Sequence, residues 1–223
     1  MPGLSGSALK AIALLSMTAD HTACYLMDEG SMAYEAVRCV GRIAFPVFAL
    51  LVAEGFSHTR NRWRYLLSLL LFAVISEVPW YLLNGVDGTH NVLFTLALGT
   101  ACLALFEGLC EHRILCCLSI LLLAGLAEWL GTDYGWRGVL MIILFYLFRR
   151  TDKGICGFQH STMLQLMFTF PLMLHYGMVG AMLACMVILL YDGTRGFVHG
   201  NIAKYIFYAF YPVHLLLLYT FTS

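Results

Sequence analysis

Charge is what this chain has least of. Of 223 residues, 12% are Asp, Glu, Lys or Arg, about half the share in soluble domains. The 61% that are hydrophobic therefore have no soluble fold to fill, and the composition reads as a polytopic membrane protein. Lys and Arg balance Asp and Glu at thirteen each, so no nucleic-acid partner is expected. There is no Gly-rich phosphate loop, no zinc-helix HExxH pattern and no nucleophile elbow. The eight cysteines have neither metal nor disulfide spacing and fall mostly in apolar runs, where cysteine acts as a small hydrophobe. A covalent mechanism, a resident metal and a disulfide framework thus lack sequence support. The first apolar run is a full span that starts within ten residues of Met1, so no cleavable leader is expected.

Nine spans are read, at about 8–28, 42–57, 64–83, 91–109, 113–131, 135–149, 161–174, 177–192 and 203–221. The expected fold is all-α: one transmembrane helical bundle, residues 1–223 forming a single domain. Alternating nine spans puts Lys10, Arg60, Arg62, Arg64, Arg113, Arg149, Arg150, Lys153, Arg195 and Lys204 on one face, and Arg38, Arg42 and Arg137 on the other. The positive-inside rule makes the first face cytoplasmic. The N-terminus is then inside, the C-terminus outside, and the location the cell (inner) membrane. A homo-oligomer is open.

The few charges inside spans carry the functional reading, because an intramembrane charge costs at least ~2.5–3.5 kcal/mol and is usually put to use. In the first span, Lys10 and His21 are eleven positions apart, about three turns and roughly 16 Å along one helical face. Asp20 sits a quarter turn aside. His21 reads as a membrane-depth base and Asp20 as its orienting or charge-balancing neighbour. The bland alternative is a snorkelling Lys and a His bonded to another helix. Arg42 opens the second span at a similar depth; it could hold Asp20 or a substrate carboxylate or phosphate, or anchor the interface. Pro46 loosens that span, and Glu54 stands at its other end. The basic turn Arg60, Arg62, Arg64 beside Trp63 suits a phosphorylated donor such as a coenzyme A nucleotide; positive-inside topology and anionic headgroups explain it as well. Glu77, Glu107 and Glu128 are buried carboxylates that need partners. His90 is a second acid/base or a surface residue, Asn91 a helix N-cap, and His214 in the last span a core histidine or a site member. A metal held by His21, His90 and His214 has no ligand spacing behind it.

Five stretches, LKAIALLSMTADH, GRIAFPVFALLVAEGFSHTRN, HNVLFTLALG, YGWRGVL and KYIFYAFYPVHLL, resemble in order the successive motifs of the TraX family. The resemblance runs through nearly the whole chain. It implies a membrane acyltransferase, similar to a wider group that moves acyl groups from cytoplasmic coenzyme A to acceptors at or beyond the membrane. One branch of that group has an Arg and a His at the spacing that Lys10 and His21 have here; the Lys keeps the charge and loses the bidentate fork. On this reading acetyl-CoA is the donor, Lys10 with some of Arg60, Arg62 and Arg64 holds its phosphates, His21 is the general base, and Arg42 steadies an oxyanion or the acceptor. The acceptor is a hydroxyl or amine on a pilin, glycan, lipid or small metabolite. Two rival classes stay open: a proton-coupled transporter using Asp20, His21 and Arg42, and a non-catalytic assembly partner.

Overall fold

The computed structural model describes residues 3–151, 158–196, 198 and 201–222; Lys153 lies outside them, and of Arg150 only the backbone is described. The described residues form ten helices: α1 Gly6–Leu26, α2 Met32–Gly41, α3 Ala44–His58, α4 Arg62–Asn84, α5 Val92–Gly108, α6 Arg113–Trp129, α7 Gly135–Thr151, α8 Phe158–Leu174, α9 Met178–Leu189 and α10 Asn201–Thr222. They begin where the sequence offers side-chain caps. Ser5, Ser31, Asn61 and Asn91 accept from the first-turn amides of α1, α2, α4 and α5, which satisfies donors that a helix start leaves orphaned.

The second expected span is longer than 42–57 and is broken. Residues 32–41 form a helix of their own, and Arg42 and Ile43 make a tight turn before α3. Pro46 lies in the first turn of α3, where its missing N–H costs little and the Arg42 carbonyl loses its usual partner four residues on. Met32–His58, Arg62–Asn84 and Lys204–Thr222 are long and apolar enough to cross a bilayer by length and composition. Val92–Gly108, Thr162–Leu174 and Met178–Leu189 are apolar but shorter. In α1 the apolar run is diluted by Lys10, Asp20 and His21.

Packing centres on α3 and α7. The former touches α1, α5, α7 and α9, and the latter α3, α5, α6 and α8. Phe45, Leu50, Phe56, Met141, Ile142 and Phe145 are fully buried between them. Outside, Leu118, Leu121, Leu122 and Trp129 of α6 stand exposed. An apolar outer face over an equally apolar core suits lipid rather than water.

Connections gather at two ends. At one, Leu4 N–H donates to Leu190 O (2.6 Å), Gly6 N–H to Thr194 O (2.7 Å) and the Ser7 hydroxyl to Arg195 O (2.9 Å). At the other, His90 N–H donates to Gly131 O (3.0 Å) and Asp133 N–H to His90 O (2.9 Å), and the Tyr176 hydroxyl reaches Tyr134 O (3.4 Å). The first, called the basic end below, also holds Arg60, Arg62 and Arg64; Arg38, Arg42 and Arg137 are at the opposite end. First and last helices, α1 and α10, lie side by side and run the same way, with Lys10 over the Phe207 ring (5.5 Å) near one end and His21 against His214 towards the other.

Candidate functional site

Lys10 and His21 do share a face, and that face meets α10. His21 Nδ1 and His214 Nε2 are 2.7 Å apart, with ring centroids 4.9 Å apart and planes within 9°. His214 is 6% exposed, and its Nδ1 is 3.1 Å from the Phe210 carbonyl. Those contacts fix the protons. A carbonyl only accepts, so His214 carries its hydrogen on Nδ1, and in the neutral ring its Nε2 must accept. His21 then donates from Nδ1, and the neutral His21 ring presents an unprotonated Nε2. The protons are placed by this network of partners; the result is a base held in one tautomer. Tyr25 and Tyr211 stand edge-on to His21, at 6.2 and 6.1 Å between centroids.

One turn of α2 supplies what Asp20 needs, and it is Arg38 rather than Arg42. Arg38 Nη1 donates to Asp20 Oδ2 (2.7 Å) and also contacts Cys24 Sγ (2.7 Å). Gly41 makes the approach feasible, since a Cβ there would land on the Asp20 side chain. Arg42 turns away. It interacts with the Tyr134 hydroxyl, lies over the Tyr176 ring (6.0 Å), and packs its Cβ where any side chain on Gly180 would have to go. Tyr134 is held at φ +68°, a left-handed conformation rare for a bulky residue, and stacks on Phe45 at 3.7 Å. Behind it, Asp133 interacts electrostatically with Asp20, Arg42 and Arg38, and burial pushes its carboxyl up to about 6. Asp20 Oδ1, buried against Gly41, makes no hydrogen bond within the described protein, and the buried Tyr211 hydroxyl faces the Val92 amide. Buried polar atoms without partners are uncommon enough to need a reason.

The basic end is organised differently. Arg62 forms an ion pair with Glu107, which also accepts from the Tyr146 hydroxyl, and lies 4.9 Å above the Phe56 ring. Glu54 pairs with Arg149 and is 3.8 Å from His58. Lys10, Arg60, Arg64, Arg195 and Lys204 pair with no carboxylate among the described residues. Lys204 stands over the rings of Tyr65, Tyr205 and Tyr208 at 5.4–5.9 Å. His90 pairs with Glu77, and Asn91 caps α5 while donating to Glu77 and to Ala73 O. His90 is thus bound to its own carboxylate while His21 and His214 bind each other. Glu77, Glu107 and Glu128 each have a polar contact, Glu128 with the Trp136 amide at 3.5 Å.

Arg38 and Asp133 are the residues that sequence reasoning passed over. Arg38 fell in the stretch left between the first two expected spans; the four-residue spacing Tyr34, Arg38, Arg42 was its one signal. Asp133 is a lone acid in a loop and gave none.

The family model described as TraX protein matches residues 5–222. A probable fimbrial assembly protein FimC, serogroup H1, of Dichelobacter nodosus is 34% identical over 232 residues, which cover 94% of this chain and 92% of that one. Protein TraX of Escherichia coli is 30% identical over 148 residues, covering 66% of this chain and 57% of its own. An uncharacterized protein of Rickettsia prowazekii is 25% identical over 155 residues, 67% of this chain and 59% of that one. No solved structure matches.

Proposed function

The chain belongs to the TraX family, and on that premise we propose that it is a multi-pass inner-membrane acyltransferase, which moves an acetyl group from cytoplasmic acetyl-CoA to a hydroxyl or amine at or beyond the membrane. The observation that carries this reading is the proton arrangement of the histidine pair. The chain of bonds from Phe210 O through His214 to His21 leaves a lone pair on His21 Nε2, which is what a general base needs. One relative is named for fimbrial assembly, which favours a pilin subunit as the acceptor.

The basic end, cytoplasmic on this reading, receives the donor. Arg62 is engaged with Glu107, so the phosphates are left to Lys10, Arg60 and Arg64, joined by Lys204 and Arg195. The acetyl arm extends between α1 and α10 towards His21. His21 Nε2 takes the proton as the acceptor oxygen or nitrogen attacks the thioester carbon. The C–S bond breaks, and the departing thiolate of coenzyme A recovers that proton. Arg38 holds Asp20 and, close enough to interact with His21, favours negative charge developing at the carbonyl oxygen.

The test is acetyl transfer, hydrolysis or binding of labelled acetyl-CoA by the purified chain, wild type beside His21→Ala. A loss of turnover of about 100-fold or more in the variant, with unchanged circular dichroism, is expected. A well-folded wild type that neither binds nor turns over any acyl-CoA overturns the reading.

A further inference from the structure

The opposite end of the bundle contains a cavity of about 270 Å³ between α2 and the turn from α8 to α9. Its walls include Tyr34, Arg38, Cys39, Arg42, Tyr176 and Gly180. Tyr34, Arg38 and Arg42 are at successive four-residue steps of one helix face. Like charges four apart repel, and in a chain this poor in charge such a pair calls for an anion between them. Asp20 answers for one. It takes a single nitrogen of Arg38, which leaves other donors of that guanidinium. Arg42 has no carboxylate within ion-pair distance among the described residues; Asp20 and, less strongly, Asp133 act on it from further back. Aromatic rings lie against both cations, Tyr34 at 5.9 Å from Arg38 and Tyr176 at 6.0 Å from Arg42, and hold their planes. Gly180 keeps the far wall clear of Arg42. Glu35 also lines it and is exposed.

We propose that this cavity binds an oxyanion, carboxylate or phosphate, carried by the acceptor, and that Arg42 and Arg38 grip it while Asp20 and His21 receive the reacting group beyond. Planar guanidinium forks recognise such groups bidentately. The volume suits a small head group, not a whole macromolecule, so the rest of the acceptor stays outside. The assignment of the ligand as acceptor rests on the transferase reading; the anion site itself does not.

Cys39 on the cavity wall provides the readout. The full chain in phosphatidylcholine nanodiscs, without any coenzyme A, is treated with N-ethylmaleimide, and alkylation is followed at the peptide that holds Cys39. Inorganic phosphate and acetate are the probes, with chloride at equal ionic strength as the control. Alkylation is expected to slow several-fold with either probe. Arg42→Gln is expected to raise the half-protecting concentration about tenfold or more, Arg42→Lys by less, and Arg137→Gln, at the same end but off the cavity, not at all. Protection in phosphatidylglycerol nanodiscs with no added anion identifies a lipid head group as the source; protection by soluble phosphate alone identifies a free one. No protection by either probe, chloride doing as well, or equal protection in Arg42→Gln overturns the proposal. Protection in a chain that neither binds nor turns over acyl-CoA keeps this site and sinks the transferase reading; turnover without protection does the reverse.

Discussion

At the basic end, Glu54 meets Arg149 and Glu107 meets Arg62, each pair joining two helices, and the cations left over are surplus. Lys204 and Arg64 are near enough to repel each other. At the opposite end the charges interlock instead: Asp20, Arg38, Arg42, Asp133 and Tyr134 act on one another inside a few turns, and the histidine pair lies just within. One end is a field and the other a geometry. A positive field attracts any polyanion, weakens with salt and tolerates sloppy placement. A buried arrangement fixes hydrogen positions and distances, and fails when a single side chain moves.

Changes to the geometric end should therefore have the larger effects. Next to His21→Ala, the sharpest is His214→Ala. It frees the His21 tautomer without removing the base. Turnover should fall on the order of tenfold, part of the ~10²–10⁴ that a positioned general base supplies, while the Kd for acetyl-CoA stays put. A fall in donor affinity instead would put His214 in the donor site and blur the two ends. Gly41→Ala adds a methyl where Asp20 packs. Overpacking of that kind costs about 1–3 kcal/mol, read as a lower Tm in detergent; an unchanged Tm would mean the α1–α2 contact is loose. At the other end, Arg64→Ala and Lys204→Ala should raise the KM for acetyl-CoA several-fold at low salt and little at high salt, with kcat kept. Arg62→Ala should lower Tm and leave the salt response of KM alone. A salt-independent change in Arg64→Ala would show a fixed contact rather than a field.

The smallest effect is in pH. Burial raises the Asp133 carboxyl to about 6, above the ~3.9 of an unfolded Asp. Between those values the folded state binds the extra proton, so its contribution to stability is full below about pH 4 and is lost as pH rises through 6. Asp133→Asn should flatten that part of the curve of Tm against pH. A curve that keeps its slope would place the burial elsewhere.

Much of this was legible from periodicity. Eleven residues between Lys10 and His21 put both on one face whatever that face meets, and α10 proves to be what it meets. Helix ends fell within a few residues of the apolar runs because caps such as Asn61 and Asn91 flank them. Partners across helices were not legible. Arg62 with Glu107 is set by how α4 and α5 pack, and no local spacing reports that. Arg42 was the natural mate for Asp20 by depth and does act on it, but Arg38, one turn earlier on the same face, comes close enough to make the hydrogen bond. His90 and Glu77 meet across the loop between α4 and α5, again a matter of tertiary closure. Tyr134 in a left-handed conformation has no sequence cue of its own; Gly135 after it is left-handed too, as a glycine readily is.

The histidine pair joins residues 193 positions apart in the chain, on the first helix and the last. During synthesis the first helix is made long before its partner exists, at ~5–20 residues per second. For that interval His21 has no mate and its tautomer is unfixed. A chain interrupted anywhere before α10 lacks the pair, and the arrangement is complete only once the final helix is in place.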